Sequence, residues 1–224
     1  MTADSPDAVT FVAQLVEEIH QLFAQLGERE TLENESDGDM AVVPLLKLAL
    51  ISELEAADIA AHWMPETTDI EAKTIFAEQC SDELNHYNLI MERLAELGED
   101  MDGFEPFKDG YSPLFHYLRT LRTTEERIAA GPFACEAVAE VRNAQFIEFC
   151  RSIGDEKTAE LYEDVIHPEE IHHHRRGREY LEKIATTPDI QERIRAATMS
   201  SLAIADELQT LTEKTTGLQN IPLS

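Results

Sequence analysis

The chain has 224 residues, with 45 Asp or Glu against 18 Lys or Arg, for a formal net charge of −27. That length sustains one sizeable core and calls for a single domain over residues 1–224. So acidic a composition argues against nucleic acid or an anionic membrane as partner and raises the local concentration of cations.

The elements read almost entirely at helical period. A first helix, about residues 6–26, carries Val12, Leu15, Val16, Ile19, Leu22, Phe23 and Leu26 as an apolar stripe suited to packing. The acidic stretch from Gly27 to Asp39 reads as a solvated connection. A second helix, about Pro44 to Met64, starts on a proline and stops before Pro65. It is apolar nearly all round, yet it carries Glu53 among Ala49, Ala56, Ala57 and Ala60. An interior carboxylate needs a partner, and small neighbours leave room for one.

A third helix opens on a capping-box pattern at Thr68 and runs to about Leu97, before Gly98. The stretch Gly98 to Ala130 is too long for a hairpin loop and holds a short amphipathic piece with Leu114, Tyr117, Leu118 and Leu121. A fourth long helix is expected from Gly131-Pro132 to Gly154, and a fifth from Asp155 to about residue 184. Pro168 sits inside the latter and is expected to kink or break it. The last helix, about residues 188–211, caps or dimerises the bundle.

One constellation occurs twice on these helices. Glu53 is followed by Glu83 and His86, Glu140 by Glu170 and His173, and each member of the second set lies 87 residues after its counterpart. A Glu and a His three apart lie on one helix face, a turn apart, so both can bind one ion. A single Glu-x-x-His carries little weight in so Glu-rich a chain, and Glu17/His20 is another; the matched triplet is the signal. Helix rise places Glu53 ~17 Å before the first turn and Glu83 ~22 Å after it, with Glu140 and Glu170 at ~21 and ~22 Å from the second, so the carboxylates can meet at one level. Two alternatives stay open: Glu136, one turn before Glu140, and the overlapping pair Glu169/His172 if Pro168 shifts the register.

Carboxylate and imidazole suit Fe(II) or Mn(II) and leave coordination positions open, and four carboxylates balance two divalent ions. Such a site couples naturally to reduction of O2 or peroxide. Tyr87 and Tyr162, on the metal-bearing helices, are candidates for electron relay or for packing. No G-x-G-x-x-G or G-x-x-x-x-G-K loop occurs, so electrons are expected from an external donor. Cys80, Cys135 and Cys150 form no C-x-x-C pair, which argues against a thiolate metal site and for a reducing cytoplasm. The N-terminal segment shows no leader pattern, and no run of ~18 apolar residues suggests a membrane span.

These residues resemble the ferritin-like di-iron carboxylate superfamily, which includes rubrerythrins, bacterioferritins, ribonucleotide reductase small subunits and several oxygenases, over about residues 44–180. The resemblance implies an all-α, ferritin-like four-helix bundle at about 44–184, with a long crossover and added terminal helices. It implies two Fe ions, or Mn, held by Glu53, Glu83, His86, Glu140, Glu170 and His173. It further implies that the acid before each motif Glu, Asp82 and Glu169, holds the opposite histidine. The function expected is an oxidoreductase activating O2 or peroxide; iron storage and a metal-free helical interaction bundle are the alternatives.

Overall fold

The computed structural model describes residues 6–27 and 42–216, with side chains described for 6–24 and 42–208. Apart from Gly27, the acidic connection lies outside the described residues. Those that are described form helices and connecting turns, with no strand among them. None of the helices is long and apolar enough to cross a membrane.

Helix α1 spans Ala8–Gly27, α2 Val42–Trp63 and α3 Ile70–Glu96. Asp69, rather than Thr68, caps α3 by accepting a hydrogen bond from the Ala72 N–H at 2.9 Å. This supplies a partner for one of the donors that every helix start leaves over. Short helix α4, Pro113–Leu118, lies within the crossover and packs against α2.

Two long rods complete the core. The first joins α5 (Thr124–Ile128), a π-helical segment (Ala129–Cys135) and α6 (Glu136–Ser152). It begins seven residues earlier than Gly131-Pro132 suggests, because Thr123 and Glu126 form a reciprocal capping box ahead of it. Gly131 and Pro132 then lie inside the π segment. The second rod joins α7 (Glu156–Leu161), a π segment (Tyr162–Ile166) and α8 (His167–Ile184).

Pro168 does not break this rod. The His167 N–H bonds to the Tyr162 carbonyl, five residues back, so the ladder is already slipping from one spacing to the other where the proline withdraws its donor. Helix α9 (Pro188–Thr216) packs over the π segment of the first rod and α5, and α1 packs on α8.

The apolar core falls into two clusters on either side of a polar layer. One gathers Trp63, Phe76, Ile128, Phe133, Leu181 and Ile194 with the α1 stripe; the other gathers Leu46, Leu50, Ile90, Leu94, Phe146 and Ile166. Along α2 and α3, and along both rods, the chain leaves one cluster, crosses the polar layer and enters the other. Close approach between the rods rests on Gly177, where an added Cβ would sit 2.8 Å from the carbonyl carbon of Pro132.

Candidate metal centre

Glu53, Glu83, His86, Glu136, Glu170 and His173 make up that layer, and each is at most 3% exposed. They come from α2, α3, α6 and α8, which otherwise turn mostly apolar or small residues inward, with Gln79 and Arg93 on α3 and Arg142 and Asn143 on α6 also buried. Two ligand groups emerge. In the first, one ligand atom each from Glu53, Glu83, His86 and Glu170 all lie within 4.8 Å of one another; in the second the same holds for Glu83, Glu136, Glu170 and His173. Glu83 and Glu170 belong to both. Each group then adds one carboxylate and one imidazole of its own.

The imidazoles are oriented from behind. His86 turns Nδ1 toward the cluster, 3.2 Å from Glu53, 3.1 Å from Glu83 and 3.5 Å from Glu170. Its Nε2 donates to Glu169 at 2.7 Å. His173 likewise turns Nδ1 toward Glu83 and Glu170, at 3.7 and 3.5 Å, while Nε2 donates to Asp82 at 3.0 Å. The acid preceding each motif Glu thus holds the histidine of the other motif, tying α3 to α8 twice. A carboxylate on the outer nitrogen settles which nitrogen carries the proton and makes the inner one a stronger donor to a metal.

Burial sets the protonation of the metal-free layer. It drives the Glu53 carboxyl well above its ordinary range despite the hydrogen bond with His86. It drives Glu136 up likewise, reinforced by neighbouring Glu170 and Glu83. Burial also opposes a charge on His86, but the hydrogen bonds to Glu53 and Glu83 outweigh it and hold the imidazolium well above the usual histidine value. His173 is raised to about 10 in the same way, against burial, by Asp82 and Glu170. Glu170, facing Glu136 and both imidazoles, is lowered to about 2 despite its burial. The layer therefore accumulates protons where a cation would otherwise bring positive charge.

The donor set fits a pair of metal ions. Glu83 Oε1, Glu136 Oε2, both oxygens of Glu170 and His173 Nδ1 are buried without a hydrogen-bond partner. Buried unpaired polar atoms are few in native proteins and each costs about 1–3 kcal/mol, so five converging on one layer call for a shared positive partner. Oxygen and imidazole donors of this kind suit Fe(II) or Mn(II).

Glu140 does not join the layer. It is half-buried and lines a small cavity with Val16, Ile19, His20 and His174 beneath α1. Glu136, one turn nearer the π segment, takes the position expected of it. The two lie on nearly the same face, ~40° apart, and differ mainly by ~6 Å of height; of the three pairs at the 87-residue offset, Glu83/Glu170 and His86/His173 meet in the layer, while Glu140 lies outside it. His172 stays at the surface, 2.9 Å from Arg175, and the Glu170/His173 register is the one that reaches the layer.

Two further residues bear on the site. Gln79, one turn before Glu83, donates to the Glu136 carboxyl from a buried position; its place four residues before a motif Glu was the only sign in the sequence. Tyr162 is buried with its hydroxyl unpaired, edge-on to Phe146 at 4.7 Å between ring centres. Tyr87 packs, half-buried, against the same apolar cluster. The chain matches no protein-family model, no curated protein and no solved structure.

Proposed function

We propose that the chain is a ferritin-like di-metal carboxylate protein that holds two Fe ions, with Mn as the alternative, and acts as a cytoplasmic oxidoreductase on O2 or peroxide. The observation that carries this reading is the pair of ligand groups sharing Glu83 and Glu170. Glu53 with His86 would complete one half, and Glu136 with His173 the other. When bound, reduced ions of this kind supply electrons to an oxygen substrate.

The chain's own groups do the rest. Glu169 and Asp82 keep the inner nitrogens of His86 and His173 aimed inward. The two apolar clusters exclude bulk water from the layer, which strengthens each charge interaction inside it. Gln79 steadies Glu136 from outside the ligand set. Electrons to restore the reduced state come from an external donor. The three cysteines are free, in keeping with a reducing compartment.

Titration with Fe(II) under nitrogen tests the reading. Saturation at about two ions per chain, followed by consumption of O2 or peroxide, supports it. An iron count far above two favours storage, and a count of zero favours a metal-free helical bundle.

A further inference from the structure

A cavity of about 130 Å³ lies between α2, α4, the first rod and α9. Its depth is graded. Leu48, Ile51, Ala56 and Leu208 on its outer side are half-buried, whereas Ile59, Phe115 and Leu118 further in are buried. The innermost polar residues on its wall are Gln79 and Glu136, so the cavity ends against the proposed metal centre.

Its chemistry is restrictive. Among the described residues, no Lys, Arg or His lines it, and its two charged residues, Glu55 and Glu136, are acidic. Glu55 is already engaged, accepting from Ser112 N–H at 2.6 Å and from the Ser112 hydroxyl at 2.5 Å. Gln79 is not fully engaged: its amide nitrogen donates to Glu136, and its Oε1 is buried without a donor. An apolar cavity of about 150 Å³ is large enough to admit benzene.

We infer that this cavity binds an uncharged, mainly apolar molecule of about benzene's size with one hydrogen-bond donor, phenol being the simplest example, the donor directed to Gln79 Oε1. That such a molecule is what the centre acts on rests on the di-metal reading; its binding does not. An anionic ligand is disfavoured by the acidic wall, and a larger one by the volume.

The full chain would be titrated with phenol, benzene and benzoate by isothermal calorimetry, with and without Fe(II). Saturable binding of phenol is expected, about fivefold tighter than benzene for one hydrogen bond, with no binding of benzoate. Gln79→Leu should abolish the preference of phenol over benzene. Leu48→Trp, and independently Ile51→Trp, should weaken both ligands at least tenfold, with far-UV circular dichroism and the Fe(II) count unchanged. Absence of saturable binding by either neutral ligand, benzoate binding as well as phenol, or indifference of phenol to both filling variants overturns the inference. Phenol binding to a protein that takes up no Fe(II) would overturn the metal reading and leave the pocket standing; iron uptake without phenol binding would do the reverse.

Discussion

His86 on α3 donates from Nε2 to the carboxylate of Glu169 on α8, 83 residues later in the chain, at 2.7 Å. His173 and Asp82 repeat the relationship in the opposite direction. Helix pairing and imidazole orientation are therefore set by the same two contacts. Glu169→Gln and Asp82→Asn should each lower metal affinity about 10–100-fold while leaving the ion count at saturation unchanged. Competition with a chelator of known affinity gives the measurement; unchanged affinity in both variants would remove these acids from the design.

Glu136 and Glu140 separate cleanly by substitution. Glu136→Ala should lose one of the two ions, whereas Glu140→Ala should keep both, because its side chain lies under α1 outside the two ligand groups. Metal analysis after anaerobic Fe(II) loading decides between them. His173→Ala and His172→Ala form the matching pair on α8, with loss confined to the first.

Acidity acts on the metal-free protein with a definite sign. His86 and His173 both titrate above the ordinary 6.5, His173 at about 10, so the native state keeps protons that the unfolded chain has released. The contribution of His173 to stability is full below pH 6.5 and is lost as pH rises through about 10, that of His86 falls in the same direction from the same starting point, and each imidazole adds a limiting slope of about 1.4 kcal/mol per pH unit. Buried Glu53 and Glu136, raised as well, push in the same direction. Glu170, lowered to about 2 from 4.5, opposes them only at the acid end, where its contribution is lost as pH falls through that range. Urea midpoints of metal-free protein should fall between pH 7 and pH 10, and metal loading should flatten the trend because the ions displace the protons. A rising midpoint over that interval would contradict the assignment.

Gly177→Ala tests the packing of the rods. The new methyl would meet the backbone of Pro132 and Phe133 at 2.8–2.9 Å, a contact that no side-chain rotation relieves. A loss of about 1–3 kcal/mol is expected from overpacking, read by chemical denaturation, together with weaker metal binding if the rods are forced apart.

Much of this arrangement is legible in the residues. The apolar period marks the long helices within a few positions, and Glu-x-x-His spacing singles out Glu83/His86 and Glu170/His173 because three residues is one turn on either helix. Glu53 stands out among the acids of an apolar helix because Ala49, Ala56, Ala57 and Ala60 flank it at helical spacing. The acid that the first rod brings to the layer is harder, since Glu136 and Glu140 share a face and differ by a single turn of height, which rise arithmetic across loops and a π segment does not resolve. The cavity beside Gln79 is invisible in one dimension: it arises where α4 and α9 close over α2, and the sequence separation of those pieces carries no trace of their contact.

Each rod contains a π segment, and each segment meets a proline: Pro132 lies within the first and Pro168 lies two residues past the second. A π turn is equivalent to one residue inserted into an α-helix, so everything beyond it is set back by about 100° relative to the uninterrupted spiral. In the second rod, Glu170 and His173 lie beyond that slip. Removing one residue between Tyr162 and Ile166 would let the turn close as ordinary α-helix with Glu170 and His173 still facing the polar layer, whereas straightening the π turn to α without removing a residue would swing both out and bring Glu169 and His172 toward it. The extra residue held in this one turn thus sets the angular phase of half the polar layer.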